Sequence, residues 1–251
     1  MSPPNNKPKR VKAAQLLLNQ GLATSEAHAR ALILAGEVSS ASRRIENAGQ
    51  PLPGDTVLSV RQRPRFVGRG GEKMAGALEA FGVDVEGMVG LDVGASTGGF
   101  TDCLLQNGAA RTYAVDVGRG QLAERLRNDP RVTLFERTNA RAPYPLPELV
   151  DIAVLDVSFI SLILVLPETF AHVKPGGLVV ALVKPQFEAR KDQVGRKGVV
   201  NDPVVHADVV GKVCLWAAEH SGVRLLGVRR SGLRGEEGNR EFFIALRAIA
   251  D

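Results

Sequence analysis

Apolar and polar positions in the last two thirds of the chain alternate between short, almost wholly apolar runs and longer amphipathic segments. Apolar runs of this kind predict buried parallel strands, and the segments between them predict helices that cover both faces of the sheet. The runs place strands at 89–93, 112–117, 132–136, 152–156, 178–183, 225–229 and 241–247. The amphipathic segments place helices at 73–81, 100–107, 120–128, 162–173 and 206–221. We therefore predict an α/β fold of the Rossmann-like type, with a mostly parallel seven-stranded sheet whose last strand is antiparallel.

Shorter elements occupy the front of the chain. An amphipathic segment that starts at Val11 predicts a helix that ends at Gly21, because glycine commonly follows the last turn. Thr24 or Ser25 can cap a second helix over 26–34. A turn and a short strand over 56–60 follow. These short elements predict a small α/β domain.

Domain boundaries follow from these changes of pattern. Residues 1–8 are polar and rich in proline, which predicts a disordered tail. The small domain then spans 9–62 and the large domain spans 73–251. Residues 63–72 between them are basic and contain glycine. They form either a plain linker or a segment that touches both a nucleic acid and the large domain.

Charge is distributed unevenly between the two ends. The net charge is +5, but residues 1–73 carry 12 Lys and Arg against 5 Asp and Glu, whereas the rest is nearly neutral. A basic front predicts docking on a polyanion such as a nucleic acid, although it could also be a solubilising tail. No apolar run reaches the roughly 18 residues of a membrane span, and the start lacks the apolar core of a secretory signal. The two cysteines and four histidines have no metal-ligand spacing. We therefore expect a cytoplasmic protein that has no membrane partner and no metal site.

A glycine loop follows the first strand of the large domain, in Leu91-Asp-Val-Gly-Ala-Ser-Thr-Gly-Gly-Phe100. Glycines at a strand-to-helix turn let a ligand approach the backbone and its free N–H groups. The spacing is G-x-x-x-G-G, and a second acid, Asp116, follows Asp92 by about the distance of a ribose-binding carboxylate. This combination favours S-adenosylmethionine over a dinucleotide. A tight structural turn, with Asp116 as a helix cap, is the alternative.

Cofactor contacts are expected from the glycine loop and from the ends of the next two strands. The methionine end should meet the loop, the ribose should meet Asp116, and the adenine should lie near Thr138 and Asn139. The full set is Asp92, Gly94, Ala95, Ser96, Thr97, Gly98, Gly99, Phe100, Asp116, Val117, Thr138 and Asn139.

Four charged residues at the ends of predicted elements are candidate catalytic residues: Lys73, Asp156, Lys184 and Glu241. Ligands of open α/β sheets bind beyond the carboxyl ends of the strands, where Asp156 and Lys184 lie. Methyl transfer to a sugar hydroxyl needs a base, and a lysine beside the cofactor can serve as one. Asp156 could instead cap a turn, and the other three could be surface charges.

Two resemblances to known families sharpen these expectations. The front resembles the RNA-binding domain typified by ribosomal protein S-four, in the segments 15–25, 29–38 and 49–53. The chain from about residue 9 to 247 resembles the TlyA (hemolysin A) family, which joins such a domain to an FtsJ-like methyltransferase domain. This second resemblance rests on the glycine loop and on the motifs at 127–132, 136–141, 155–161 and 182–188.

The resemblance implies 2′-O-methylation of cytidine in ribosomal RNA or ribosomal subunits, with S-adenosylmethionine as the methyl donor. It places the catalytic set of FtsJ-like enzymes on Lys73, Asp156, Lys184 and Glu241. The basic residues expected to contact RNA are Lys9, Arg10, Lys12, Arg30, Arg43, Arg44, Arg65 and Arg69. A non-catalytic RNA-binding or ribosome-assembly factor and a hemolysin-like cytolysin are the alternatives, and monomer and homodimer both stay open.

Overall fold

The computed structural model describes residues 9–41, 43–61, 64–235 and 237–249. Contacts between Cα atoms divide the chain into two units, Met1–Pro64 and Arg65–Asp251. The tail expected at 1–8 lies outside the described residues.

The first unit is built from short elements around a small apolar core. Leu16 and Leu17 of the first helix pack with Ile33 of the second and with Val38 of the strand that follows. Ser25 is the cap of the second helix, since its hydroxyl accepts a hydrogen bond from the backbone N–H of His28. The elements are β1 (Arg10–Lys12), α1 (Ala13–Asn19), α2 (Glu26–Leu34), β2 (Val38–Ser40), β3 (Arg43–Arg44), β4 (Pro51–Pro53) and β5 (Ser59–Val60).

Two small sheets complete the first unit. β1 pairs antiparallel with β4, and β2 lies between β3 and β5 in a second antiparallel sheet. The helix predicted from Val11 therefore starts later, at Ala13, because residues 10–12 form a strand. Pairing with a distant strand has overridden the local helical pattern there.

The second unit alternates helices and strands. Its elements are α3 (Arg69–Phe81), β6 (Val89–Val93), α4 (Gly99–Gln106), β7 (Arg111–Val115), α5 (Glu124–Arg127), β8 (Val132–Phe135), β9 (Val150–Leu155), α6 (Leu166–Ala171), β10 (Val173–Val183), α7 (Pro185–Glu188), α8 (Pro203–Glu219), β11 (Val223–Arg230) and β12 (Phe242–Ala248). A 3-10 turn over Leu162–Leu164 precedes α6.

One seven-stranded sheet has the order β11-β12-β10-β9-β6-β7-β8. The pairs from β10 through β8 are parallel, whereas β12 runs antiparallel between β10 and β11. The predicted fold class is confirmed. Because β12 is reversed, its first residues lie at the same edge as the carboxyl ends of the parallel strands, and this edge carries the candidate site.

Apolar side chains cover both faces of this sheet, as its nearly continuous apolar strands predict. One cluster contains Leu91, Leu155 and Val213, and the cluster on the other face contains Met74, Leu104 and Ile152. All six side chains are buried. The core therefore fixes the strand ends from two sides.

Several predicted boundaries were wrong in the second unit. α3 begins at Arg69, so Lys73 lies within that helix and not at its start. The helix predicted at 120–128 is confined to Glu124–Arg127. The one predicted at 162–173 is divided into the 3-10 turn and α6, which has Pro167 in its first turn.

Candidate active site

The glycine loop connects β6 to α4 with backbone that only glycine adopts easily. Gly94 and Gly98 have φ of +83° and +94°, in the left-handed region. A Cβ on Gly94 would lie 2.8 Å from the backbone oxygen of Asp156, and one on Gly98 would lie 2.3 Å from Leu126. Gly94 thus permits the close approach of the β9 end, whereas Gly98 makes room for core side chains.

The start of α3 also contacts this loop. A Cβ on Gly99 would lie 2.9 Å from the backbone nitrogen of Gly71, so the two helices meet backbone to backbone. A Cβ on Gly70 would lie 3.4 Å from the Phe100 ring and 3.7 Å from the carboxylate of Asp156. These glycines bring Lys73, one turn further along α3, to the same edge as the loop.

Asp92 is wholly buried at the end of β6. Its Oδ2 accepts hydrogen bonds from the backbone N–H and the hydroxyl of Thr101, at 2.8 Å and 2.7 Å. Its Oδ1 has no hydrogen-bond partner among the described residues. Burial raises the pKa of Asp92 to about 7, and the hydrogen bonds from Thr101 oppose that shift.

Lys184 and Asp156 meet at the carboxyl ends of the neighbouring strands β10 and β9. Lys184 Nζ lies 2.7 Å from Asp156 Oδ1 and donates a hydrogen bond of 2.8 Å to the hydroxyl of Ser158. The ammonium also lies 5.9 Å from the centre of the Phe187 ring. The lysine is therefore held in one position at the sheet edge.

Lys73 and Glu241 form a second pair beside it. Lys73 Nζ donates to Glu241 Oε2 at 2.6 Å, and the side chains are 10% and 2% exposed. Because both side chains are buried, this ion pair is screened little by solvent.

All four candidate catalytic residues line one cavity of about 820 Å³ together with most of the glycine loop. That size falls within the usual range for a small-molecule site. From the predicted cofactor set the lining includes Asp92, Gly94, Ala95, Ser96, Thr97, Gly99 and Phe100.

The remaining predicted cofactor residues lie outside the lining. Asp116 accepts hydrogen bonds from the backbone N–H of Ser96 at 2.7 Å and of Gly118 at 2.6 Å, so its carboxylate fastens the glycine loop to the end of β7. No helix begins there. Thr138 and Asn139 follow β8, and the N–H of Thr138 donates to the backbone oxygen of Asp116. Val117 is exposed.

The eight residues expected to contact RNA are all exposed. Arg10 and Lys12 alternate with Val11 along β1 and so lie on one face of that strand. Arg30 pairs with Glu26 of the same helix at 2.7 Å, and Arg69 donates to the backbone oxygen of Arg234 at 2.9 Å. The other six are also exposed, and the guanidinium carbon of Arg65 lies 4.7 Å from the centre of the Phe66 ring.

Two polar contributors to this site were not predicted. Ser158 accepts from Lys184, and Asn239 is 1% exposed and binds the backbone at both Val200 and Gly198. Asn239 thereby joins the segment before Glu241 to the loop at 194–200, which contributes Val194 and Gly198 to the cavity. Their position two residues from a candidate catalytic acid was a usable signal in the sequence.

The model of the family described as FtsJ-like methyltransferase matches residues 66–248, which is more than half of the chain. The chain belongs to the FtsJ-like methyltransferase family. The FtsJ-like match covers the sheet, the glycine loop and all four charged residues of the cavity, so the resemblance of the large domain to an FtsJ-like methyltransferase is confirmed.

Individual FtsJ-like relatives match over almost the whole chain. A provisionally named rRNA methyltransferase of Bacillus subtilis, YqxC, is 46% identical over 92% of this chain and 83% of its own length. The 16S/23S rRNA (cytidine-2′-O)-methyltransferase TlyA of Mycobacterium tuberculosis is 45% identical over 97% of this chain and 92% of its own.

A solved structure with the same fold carries a different name. A provisionally named hemolysin from Streptococcus thermophilus superposes with a TM-score of 0.72 and 39% identity, and covers 97% of this chain and 90% of its own. Among the residues that the structure describes, no helix has the length and apolar character to cross a bilayer.

Proposed function

We propose that this chain transfers a methyl group from S-adenosylmethionine to the ribose 2′-oxygen of a cytidine in ribosomal RNA. The observation that carries the proposal is the Lys184–Asp156 pair, 2.7 Å apart, in one cavity with the Lys73–Glu241 pair and the glycine loop. Relatives at 45% identity that are named for this reaction support it.

The residues of the cavity fit the cofactor. The loop at 94–99 has a glycine cradle, and the N-terminus of α4 behind it favours the carboxylate of an amino acid. The buried Oδ1 of Asp92 has no partner in the described structure and could accept from the ammonium group. Asp116 would lie near the ribose of the cofactor. Its carboxylate accepts a hydrogen bond from the backbone N–H of Ser96 and so holds the glycine loop in place.

S-adenosylmethionine supplies an electrophilic methyl group on a positively charged sulfur. Lys184 Nζ, which must first release a proton to solvent, would take the proton of the 2′-hydroxyl as that oxygen attacks. The bound cofactor would supply the methyl carbon for a new bond to this oxygen, and its carbon–sulfur bond would be the one that breaks. Asp156 and Ser158 orient the lysine, and Lys73 and Glu241 would hold the ribose in line.

The basic first unit would bring the RNA to the enzyme. Its exposed cations, above all Arg10 and Lys12 on one face of β1, can neutralise phosphates and release counterions. Arg65 and Arg69, which are exposed residues of the second unit, would add further phosphate contacts. The substrate would be ribosomal RNA or a ribosomal subunit, and the enzyme would then act in the cytoplasm.

A transfer assay tests the proposal. Wild-type protein, Lys184→Ala and Lys174→Ala would be incubated with methyl-tritiated S-adenosylmethionine and unmodified ribosomal subunits or naked RNA. Lys174 is the matched control, because it also forms a 2.7 Å ion pair with an aspartate, Asp151, but at the opposite end of β10. Alkali-resistant dinucleotides would show whether the label sits on a 2′-oxygen.

We expect label on a 2′-oxygen with wild type and Lys174→Ala, and a loss of about a hundredfold or more with Lys184→Ala at unchanged cofactor affinity. Near-normal turnover of Lys184→Ala would remove this lysine as the base. Label on a base nitrogen or carbon would refute transfer to ribose.

A further inference from the structure

Glu188 is a buried carboxylate that touches neither the cavity nor the glycine loop. Its side chain is 1% exposed at the end of α7, the single helical turn that starts directly after Lys184. Oε1 accepts a hydrogen bond from the backbone N–H of Leu162 at 2.6 Å, and Oε2 accepts from the hydroxyl of Ser161 at 2.5 Å. Removing a carboxylate from water carries a desolvation penalty, so stability alone does not account for a buried Glu188.

These partners belong to the segment that begins at Asp156. Residues 156–161 leave the end of β9, and residues 184–188 leave the end of the adjacent β10. The two segments meet first at the Lys184–Asp156 pair and again at the contacts of Glu188 with Ser161 and Leu162. Between these points the rings of Phe159 and Phe187 lie 4.9 Å apart.

The backbone of the first segment is strained between its two fixed ends. Phe159 has φ of +62°, a left-handed conformation that is unfavourable for a bulky residue and persists only when the surroundings impose it. One end of the segment is fixed by β9, and the other end is fixed by Glu188. Ser158, which accepts from Lys184, lies inside this short span.

Lys212 of α8 completes the arrangement. Its Nζ lies 3.4 Å from Glu188 Oε2 and 3.5 Å from the hydroxyl of Ser161. This lysine side chain is 43% exposed, so it offsets the buried charge without leaving solvent.

We infer that Glu188 is a positioning residue that holds the segment 156–161 against the segment 184–188 and so keeps Asp156 and Ser158 in place around Lys184. The effect of Glu188 on the rate of methyl transfer rests on the proposed function, in which Lys184 is the base. Glu188 acts only through these contacts and does not touch the reacting atoms.

Kinetics of Glu188→Ala, with Asp151→Ala as the matched control, test the inference. Asp151 also accepts from a backbone N–H, that of Val89 at 2.9 Å, and from a lysine, but at the far ends of the same strands. The single-turnover rate of methyl transfer at saturating RNA and cofactor would be measured together with the cofactor dissociation constant from calorimetry. Glu188→Gln, which keeps an oxygen for the N–H of Leu162, serves as the rescue variant.

We expect Glu188→Ala to lower the single-turnover rate at least tenfold, with a cofactor dissociation constant within twofold of wild type. Glu188→Gln should regain much of the rate, whereas Asp151→Ala should keep the wild-type rate even where its melting temperature falls. A wild-type rate in Glu188→Ala, or an equal loss in Asp151→Ala, would overturn the inference.

Amide hydrogen exchange separates failure of this inference from failure of the proposed function. If wild-type protein transfers no methyl group to RNA, the amide exchange rates of Leu162 and of residues 157–161 still show whether Glu188 holds this segment. Faster exchange of these amides in Glu188→Ala than in Asp151→Ala supports positioning, and unchanged protection refutes it. Should Glu188→Ala fail to fold, Ser161→Ala removes one contact of Glu188. The single-turnover rate and the amide exchange of that variant would then be measured in the same way.

Discussion

Lys73 and Glu241 form a 2.6 Å ion pair although 168 positions separate them in the chain. Lys73 belongs to the first helix of the methyltransferase unit, and Glu241 immediately precedes its last strand. The pair therefore joins the beginning and the end of that unit at the cavity. The same contact stabilises the fold and positions two residues of the candidate site.

Breaking this pair should destabilise the protein strongly. Lys73→Met leaves the buried carboxylate of Glu241 without its cation, which typically costs about 3 kcal/mol or more of the free energy of unfolding. Urea unfolding measures the loss. Arg30→Met, which breaks the exposed pair with Glu26, is the control and should cost less than about 1 kcal/mol. Equal losses in the two variants would contradict burial as the cause.

Gly94→Ala should impair both cofactor binding and transfer. The new methyl group would lie 2.8 Å from the backbone oxygen of Asp156, at a φ of +83°, so the loop and the strand end must move apart. Calorimetry should show a cofactor dissociation constant raised at least tenfold.

Gly76→Ala is the matched control for that substitution. Gly76 lies within α3, and nothing lies within 4 Å of its ideal Cβ position. Alanine there should stabilise the helix by about 0.5–1 kcal/mol and leave cofactor affinity unchanged. Normal affinity in Gly94→Ala would show that the loop adapts without cost.

Asp92 makes a distinctive contribution to the pH dependence of stability. Burial raises its pKa to about 7 in the folded protein, whereas an unfolded aspartate titrates near 4. Between these values the folded state holds more protons, so this contribution to stability is complete below about pH 4 and declines as the pH rises to about 7.

Asp92→Asn should remove that decline. Urea unfolding of both proteins at several values between pH 4 and 8 gives the difference in free energy of unfolding. The free energy of unfolding of Asp92→Asn, relative to that of wild type, should increase as pH rises and become constant above about pH 7. A difference that does not change with pH would mean that Asp92 titrates normally.

Reversing two charges on β1 should weaken RNA binding without affecting the cofactor. Arg10→Glu combined with Lys12→Glu alters exposed residues on one face of that strand. If each contacts a phosphate, the slope of log affinity against log salt should fall by about two. Filter binding at several salt concentrations measures this.

A second double reversal controls for net charge. Arg224 and Arg247 are exposed cross-strand neighbours at the end of the sheet opposite the cavity, and both would be changed to glutamate. This variant should bind RNA nearly as wild type does. Comparable losses in the two double variants would point to net charge alone and refute a docking face on β1.

Local sequence was sufficient to predict the sheet, the glycine loop and the strand-end residues Asp156 and Lys184, whereas Glu241 reaches the cavity only because β12 is antiparallel. Each of these depends on neighbours within about ten positions: an apolar strand, its last residue and the turn after it. Asp92, Gly94 and Lys184 were accessible for that reason.

Features that depend on distant partners were not predictable in this way. The helix expected from 120 starts only at Glu124, because Gly120 donates to Glu136 and Ala123 donates to Thr97. β10 extends back to Val173, five residues before its predicted start, because Val173 pairs with Val150 of β9 across a shift in register. Glu188 likewise gains its contacts only when two strands become neighbours.

The reversed strand β12 imposes an order on biosynthesis. β11 leaves the ribosome before β12, yet β12 is the strand that attaches β11 to β10. Until residues 242–248 are available, β11 lacks its pairing partner β12, and Glu241 has no fixed position opposite Lys73. A nascent chain that already contains the complete glycine loop is therefore still without its finished catalytic edge, and methyl transfer must await the final strand.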